Sequence, residues 1–222
     1  MRGRIFQRAI LKPPRTSAWR PALNGRQWQA VAAPSTGKIK GTGIVGIVRG
    51  LRAEREAALR VLPLALHHYL EQRVAITAWY PEAEFMQLME ALLRVYKRQS
   101  WESAGAASAR DALQGVYRNI VVEGEVEQTA RRMRVNWRNY HDTGELTVAL
   151  QPGIVQVTVA DYCVVSSDMC RLNQGYFATI LELAGAQVSA RRKRRCRASG
   201  DPLCVWEFPW QLDAPAVVPP KP

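Results

Sequence analysis

A change of hydrophobic period near residue 144 constrains this 222-residue chain more than any other feature. Before it, apolar residues recur at helical spacing. Phe85, Leu88, Met89, Leu92, Leu93 and Tyr96 follow Pro81, and Val126, Ala130, Met133, Trp137 and Tyr140 recur at alternating steps of four and three. After it, Leu146, Val148 and Leu150 alternate with polar residues, as do Val155, Val157 and Val159 beyond the turn Gln151-Pro152-Gly153. A helical stripe must hide one side against a neighbour, and an alternating hairpin must hide one face.

Further segments extend the pattern. Residues 51–70 are helix-prone, with Pro63 marking a break or a new first turn. Ser108 with Asp111 predicts a cap for a stripe of Leu113, Val116, Tyr117, Ile120 and Val121 that ends at Gly124. A helix over about 171–185, an extended stretch 187–196, a Ser-Gly-Asp-Pro turn and a strand 203–210 complete the order. The fold class is therefore α+β, an N-terminal helical layer packed on an antiparallel sheet of about four strands.

Charge divides the chain. Residues 1–50 carry ten Lys or Arg and no acidic residue, so they supply +10 of the formal net charge of +12. With Pro13, Pro14, Pro21 and Pro34 and no sustained period, residues 1–38 read as a basic disordered extension. Residues 39–212 read as the folded domain and 213–222 as a Pro-rich tail. No apolar run is long enough for a membrane helix. Four cysteines without a secretory signal favour reduced thiols in a cytoplasm.

Catalytic and phosphate-binding patterns are weak. The segment Lys40-Gly41-Thr42-Gly43-Ile44-Val45-Gly46-Ile47-Val48-Arg49-Gly50 matches neither phosphate-loop spacing, so its glycines read as packing or turn positions. His67 and His68 are adjacent on a helix and project to different sides. His141 ends a helix, where it favours the dipole, lines a pocket or ligates a haem. No nucleophile motif is present, and the chain reads as a non-enzyme.

The C-terminal third carries the most specific pattern. An apolar helix from Gly175 to Gly185 precedes Cys196-Arg197-Ala198-Ser199-Gly200-Asp201-Pro202-Leu203-Cys204-Val205-Trp206-Glu207-Phe208. This arrangement resembles the end of the 4-vinyl reductase (V4R) domain, which shares a superfamily with the bacterial haem-nitric-oxide-binding domains. With the 40–51 glycine segment and the Trp79-Tyr80-Pro81 helix start, the chain is also similar to a myxobacterial paralogous family of unknown function. The resemblance spans about residues 39–210 and implies a bacterial sensor domain that forms a homodimer. Some V4R sensors hold structural zinc through three Cys and a Glu. Cys170, Cys196 and Cys204 match that spacing, with 25 and 7 residues between them, and Lys193 stands where the Glu would be.

Zinc at Cys170, Cys196 and Cys204 is therefore an expectation, with Cys163, Asp168, Asp201 or water left open as a fourth ligand. Trp137, Tyr140, Tyr117, Trp79 and Tyr176 are the expected lining of an apolar ligand pocket between helices and sheet. These features favour a small-molecule-sensing or protein-interaction domain in signalling, with a small apolar ligand and a second copy of the chain as partners. A different class is a nucleic-acid-associated protein using the basic extension and Arg191, Arg192, Arg194 and Arg195. Tetrapyrrole reduction, the activity behind the V4R name, finds no catalytic residue in this sequence.

Overall fold

Val126, Ala130, Met133, Trp137 and Tyr140 are all buried along α5 (Val126–Tyr140), as their spacing predicts. The computed structural model describes residues 37–97, 100–115 and 117–212. The proposed extension up to residue 36, the tail 213–222 and Val116 lie outside the described residues. The first strand, β1 (Lys38–Lys40), begins one residue inside the expected extension.

β1 leads directly into α1 (Gly41–Ala53), followed by α2 (Arg55–Val61) and a 3-10 turn over Leu64–Leu70 that Pro63 introduces. β2 (Trp79–Pro81) returns antiparallel to β1, pairing Ile39 with Tyr80. This two-stranded piece was not legible in the sequence. Its strands are three residues long, too short to show a period. Pro81 then caps α3 (Glu82–Val95), where Glu82 and Glu84 in the first turn complement the helix dipole.

α4 (Trp101–Gln114) corrects one expectation. Its cap is Ser100, which exchanges hydrogen bonds reciprocally with Ser103, so Ser108 lies mid-helix. Gly115 ends the helix, and only a 3-10 turn over Arg118–Ile120 continues the predicted stripe. The hairpin is as predicted: β3 (Glu145–Gln151) and β4 (Ile154–Ala160) pair Leu146 with Val159, Val148 with Val157 and Leu150 with Val155. Gly153 makes its turn at φ +68°, a left-handed conformation that glycine adopts without a side-chain penalty.

α6 (Ser167–Leu183) crosses between sheet and helices, capped by Ser166. The remaining strands are β5 (Ala186–Val188), β6 (Arg192–Arg195) and β7 (Cys204–Leu212). The sheet order is β3-β4-β7-β5, with β6 also paired to β7, all antiparallel. The stretch expected as one strand thus splits into two that flank different parts of β7, giving five strands. Cys204, Trp206 and Phe208 of β7 are buried, as are Val155, Val157 and Val159 of β4, and they cover α6. No helix among the described residues is long and apolar enough to cross a membrane.

Candidate functional site

α5 and α6 present facing side chains to a chamber of about 50 Å³ whose wall is largely apolar. α5 contributes Met133, Asn136, Trp137 and Tyr140, and α6 contributes Leu172, Asn173, Tyr176 and Phe177. Trp137 meets the Phe177 ring at 6.4 Å between centroids, and Tyr140 meets Tyr176 edge-on at 6.1 Å.

Polar groups converge at one end of this chamber. Asn136 is only 3% exposed; its Nδ2 donates to the Tyr176 hydroxyl at 3.0 Å, while its Oδ1 has no hydrogen-bond partner. Burial raises the phenol of Tyr176 to about 12, against the opposing effect of hydrogen bonds from Asn136 and Tyr140. Burial also lifts Tyr140 well above the usual range, helped by Tyr176. Both hydroxyls therefore remain neutral donors at physiological pH.

His141 closes the chamber beside this group. Its Nδ1 bonds Glu82 Oε1 at 2.6 Å, and Glu82 is fully buried. The imidazole lies against Trp137 at 4.2 Å and meets Tyr162 edge-on at 5.1 Å. The buried pair ties the start of α3 to the end of α5. Burial, followed by the Glu82 carboxylate, holds the Tyr162 hydroxyl well above its ordinary value.

A second cavity of about 320 Å³ lies between α1, α3 and α4 and shares Gly43, Ser108, Tyr140 and Tyr176 with the chamber. Gly43, Gly46 and Gly50 of α1 and Ala104, Ala107 and Ala112 of α4 wall it, leaving space where larger side chains would interlock. Its size suits a small molecule. The glycine spacing of three and four was visible in the sequence, but its meaning required a facing helix that is also small-sided.

Three expected pocket residues, Trp137, Tyr140 and Tyr176, thus line the cavities. Tyr117 stands behind them, its ring tilted against Tyr140 at 4.8 Å between centroids and its hydroxyl bonded to Thr42. Trp79 is a correction. Its place on β2 leaves it 41% exposed, with the Lys40 ammonium 4.4 Å from its ring centroid. Asn136, Glu82 and the glycine face are site residues that the sequence reading missed.

The cysteines converge as expected. Cys170 Sγ lies 3.5 Å from Cys196 Sγ and 3.4 Å from Cys204 Sγ. The departure from the resemblance also converges. Lys193 sits 3.3 Å over the Trp206 ring, and its buried Nζ has no hydrogen-bond partner. The two sulfurs split their acidity: the hydrogen bond from Cys170 lowers Cys204, aided by the Arg197 N–H and Lys193, while the same contact and burial raise Cys170.

Two of the four arginines expected to form a nucleic-acid patch are paired with acids. Arg191 bonds Glu102 at 2.8 Å and Glu182 at 2.7 Å, and Arg194 pairs with Glu207. Arg192 lies opposite Glu207 in the sheet register, and the Lys193 ammonium is buried. Local acids thus engage Arg191 and Arg194, while Arg192 and Arg195 stay exposed on the strand.

No family model matches the chain, and no curated protein matches it. Solved structures do. An H-NOX protein from S. oneidensis in the Fe(II) ligation state superposes with a TM-score of 0.55 at 12% identity, covering 81% of this chain and 100% of that one. An Fe(II) unliganded H-NOX mutant from K. algicida gives 0.55 at 11%, covering 78% and 96%. An oxygen-binding H-NOX domain related to soluble guanylate cyclases gives 0.54 at 9%, covering 82% and 100%.

These neighbours overturn the expectation of zinc as the cofactor, because two solved structures of similar fold are named for haem and none for zinc among those compared. The physical reason lies at the cysteines, where the Lys193 ammonium acts on the sulfurs and opposes a dication electrostatically. Haem does not fit this chain either. Trp137, Tyr140 and Tyr176 fill the α5–α6 chamber down to about 50 Å³, far below a porphyrin, and among the described residues no Lys or Arg lines that chamber to meet propionates. His141 has one nitrogen bonded to Glu82 and its ring packed by Trp137. What this chain shares with the H-NOX domains is their α+β fold, a helical layer on an antiparallel sheet.

Proposed function

We propose that residues 39–212 form a non-enzymatic, small-molecule-sensing domain with a signalling role, its ligand seated in the chamber between α5 and α6 and reaching into the adjoining cleft. The observation that carries this reading is Asn136 Oδ1, a buried acceptor without a partner in the wall of an apolar cavity. An unpaired buried polar atom costs about 1–3 kcal/mol, which a bound donor would recover. The V4R branch of the superfamily is the finer assignment, supported by the helix, cysteine turn and aromatic strand at the C-terminus. Output through a homodimer belongs to the same proposal, with Leu59 and the 82%-exposed Leu64 supplying apolar surface.

The test is native mass spectrometry of the purified chain, followed by thermal-shift titration with small apolar compounds. A co-purified molecule, or a rise in melting temperature that Asn136→Leu abolishes, is the expected result. A saturating ligand at a hundred times its Kd stabilises by about 2.7 kcal/mol, well within detection. Identical melting curves for every compound would remove the reading.

A further inference from the structure

The sulfur cluster lies outside the ligand cavities and serves no part of the proposed sensing chemistry. We propose that Cys170 and Cys204 are a modification site, a thiol pair that hydroperoxides oxidise to a disulfide, with Lys193 as the buried cation that assists. Three requirements meet there. The sulfurs are 3.4 Å apart, so they need approach by only about 1.4 Å to reach disulfide length. Positive potential surrounds Cys204, whose sulfur accepts the Arg197 N–H at 3.4 Å while the Lys193 ammonium lies buried over Trp206 without a hydrogen-bond partner. A cavity of about 10 Å³ is lined by both cysteines, close to the room one water occupies.

The chemistry balances. The Cys204 thiolate attacks one peroxide oxygen and the O–O bond breaks; the leaving hydroxide takes a proton, giving Cys204 sulfenic acid and water. The Cys170 sulfur then displaces the sulfenic hydroxyl, which leaves as a second water with the Cys170 proton. Two electrons pass from the sulfurs to the peroxide. Cys196 is the less suited partner for Cys204. It is half-buried, and the turn holds its backbone N–H on Asp201 Oδ2 at 2.7 Å.

The bond would join the start of α6 to β7, where Trp206 Nε1 already donates to the Cys170 carbonyl at 3.2 Å. α6 continues from Cys170 to Tyr176 and Phe177 in the cavity wall, so oxidation would act on the element that shapes the site.

The experiment exposes the full chain to hydrogen peroxide, alkylates the remaining thiols and maps the peptides by non-reducing mass spectrometry. A Cys170–Cys204 link with loss of two hydrogens is expected. Lys193→Met should slow its formation about tenfold, and Lys193→Arg should restore it, because a cation rather than packing supplies the effect. In Cys170→Ala, a dimedone adduct should accumulate on Cys204, so the result does not hang on one variant. Oxidation confined to Cys163, a link through Cys196, an unchanged rate in Lys193→Met, or a metal that co-purifies at one per chain and blocks oxidation would each overturn the proposal.

Discussion

Single residues with unusual surroundings carry the chemistry of this domain. Glu82 is fully buried and hydrogen-bonded to His141, so His141→Ala leaves a buried carboxyl oxygen without that partner. Leaving a buried polar group unsatisfied costs about 1–3 kcal/mol, and urea denaturation of that variant should show a loss of this order. Lys193 illustrates a residue whose importance comes from position. An acidic-ligand position occupied by lysine is visible in the sequence, but only the fold places its ammonium over Trp206 beside two sulfurs. A titration of ultraviolet thiolate absorbance should therefore find Cys204 ionising below an ordinary thiol, and Lys193→Met should move that step to higher pH. The sign follows from the charge: removing a cation weakens the thiolate and favours the protonated form.

At the scale of elements, glycines in helices make opposite demands. α4 and α6 cross so closely that a side chain at Gly105 would stand 1.9 Å from the Leu172 carbonyl oxygen, and one at Gly175 would stand 1.9 Å from that of Glu102. These are backbone atoms that cannot step aside, so Gly175→Ala should destabilise by about 3 kcal/mol in chemical denaturation. Gly46 on α1 faces the cleft, and the atom nearest to an added methyl is the exposed Asp111 carboxylate at 3.3 Å. Gly46→Ala should stabilise by about 0.5–1 kcal/mol through helix propensity. Gly46→Leu should fold while filling the cleft, and ligand-induced thermal shifts should shrink in it. One substitution type with two signs separates a packing glycine from a cavity glycine. The sequence reading placed Gly175 in a helix and Gly46 among the packing or turn glycines of 40–50, and nothing local gives the two signs.

For the whole molecule, the close packing of aromatic rings decides between a cofactor cavity and a small-ligand cavity. Trp137, Tyr140, Tyr176 and Phe177 occupy the interior between α5 and α6. Protein incubated with haemin and freed of excess should accordingly lack the absorption bands of an axially ligated haem, and such bands appearing at one equivalent would contradict the packing described. The helices at 82–95 and 126–140 and the hairpin at 145–160 were legible in the sequence because hydrophobic period is a local property, set by the geometry of each element. The α+β class followed from the order of those periods. The matching of Arg191 to Glu102, 89 residues away, was not legible, nor was the pairing of Glu82 with His141 across 59. Charge balance, the unpaired Asn136 acceptor and the residual cavity depend on which surfaces meet. The sequence alone therefore determined the long periodic elements and the cysteine spacing, because both are local, while tertiary packing decided the short strands, which acids meet Arg191 and Arg194, that an ammonium joins the sulfurs and how much space the aromatic interior leaves.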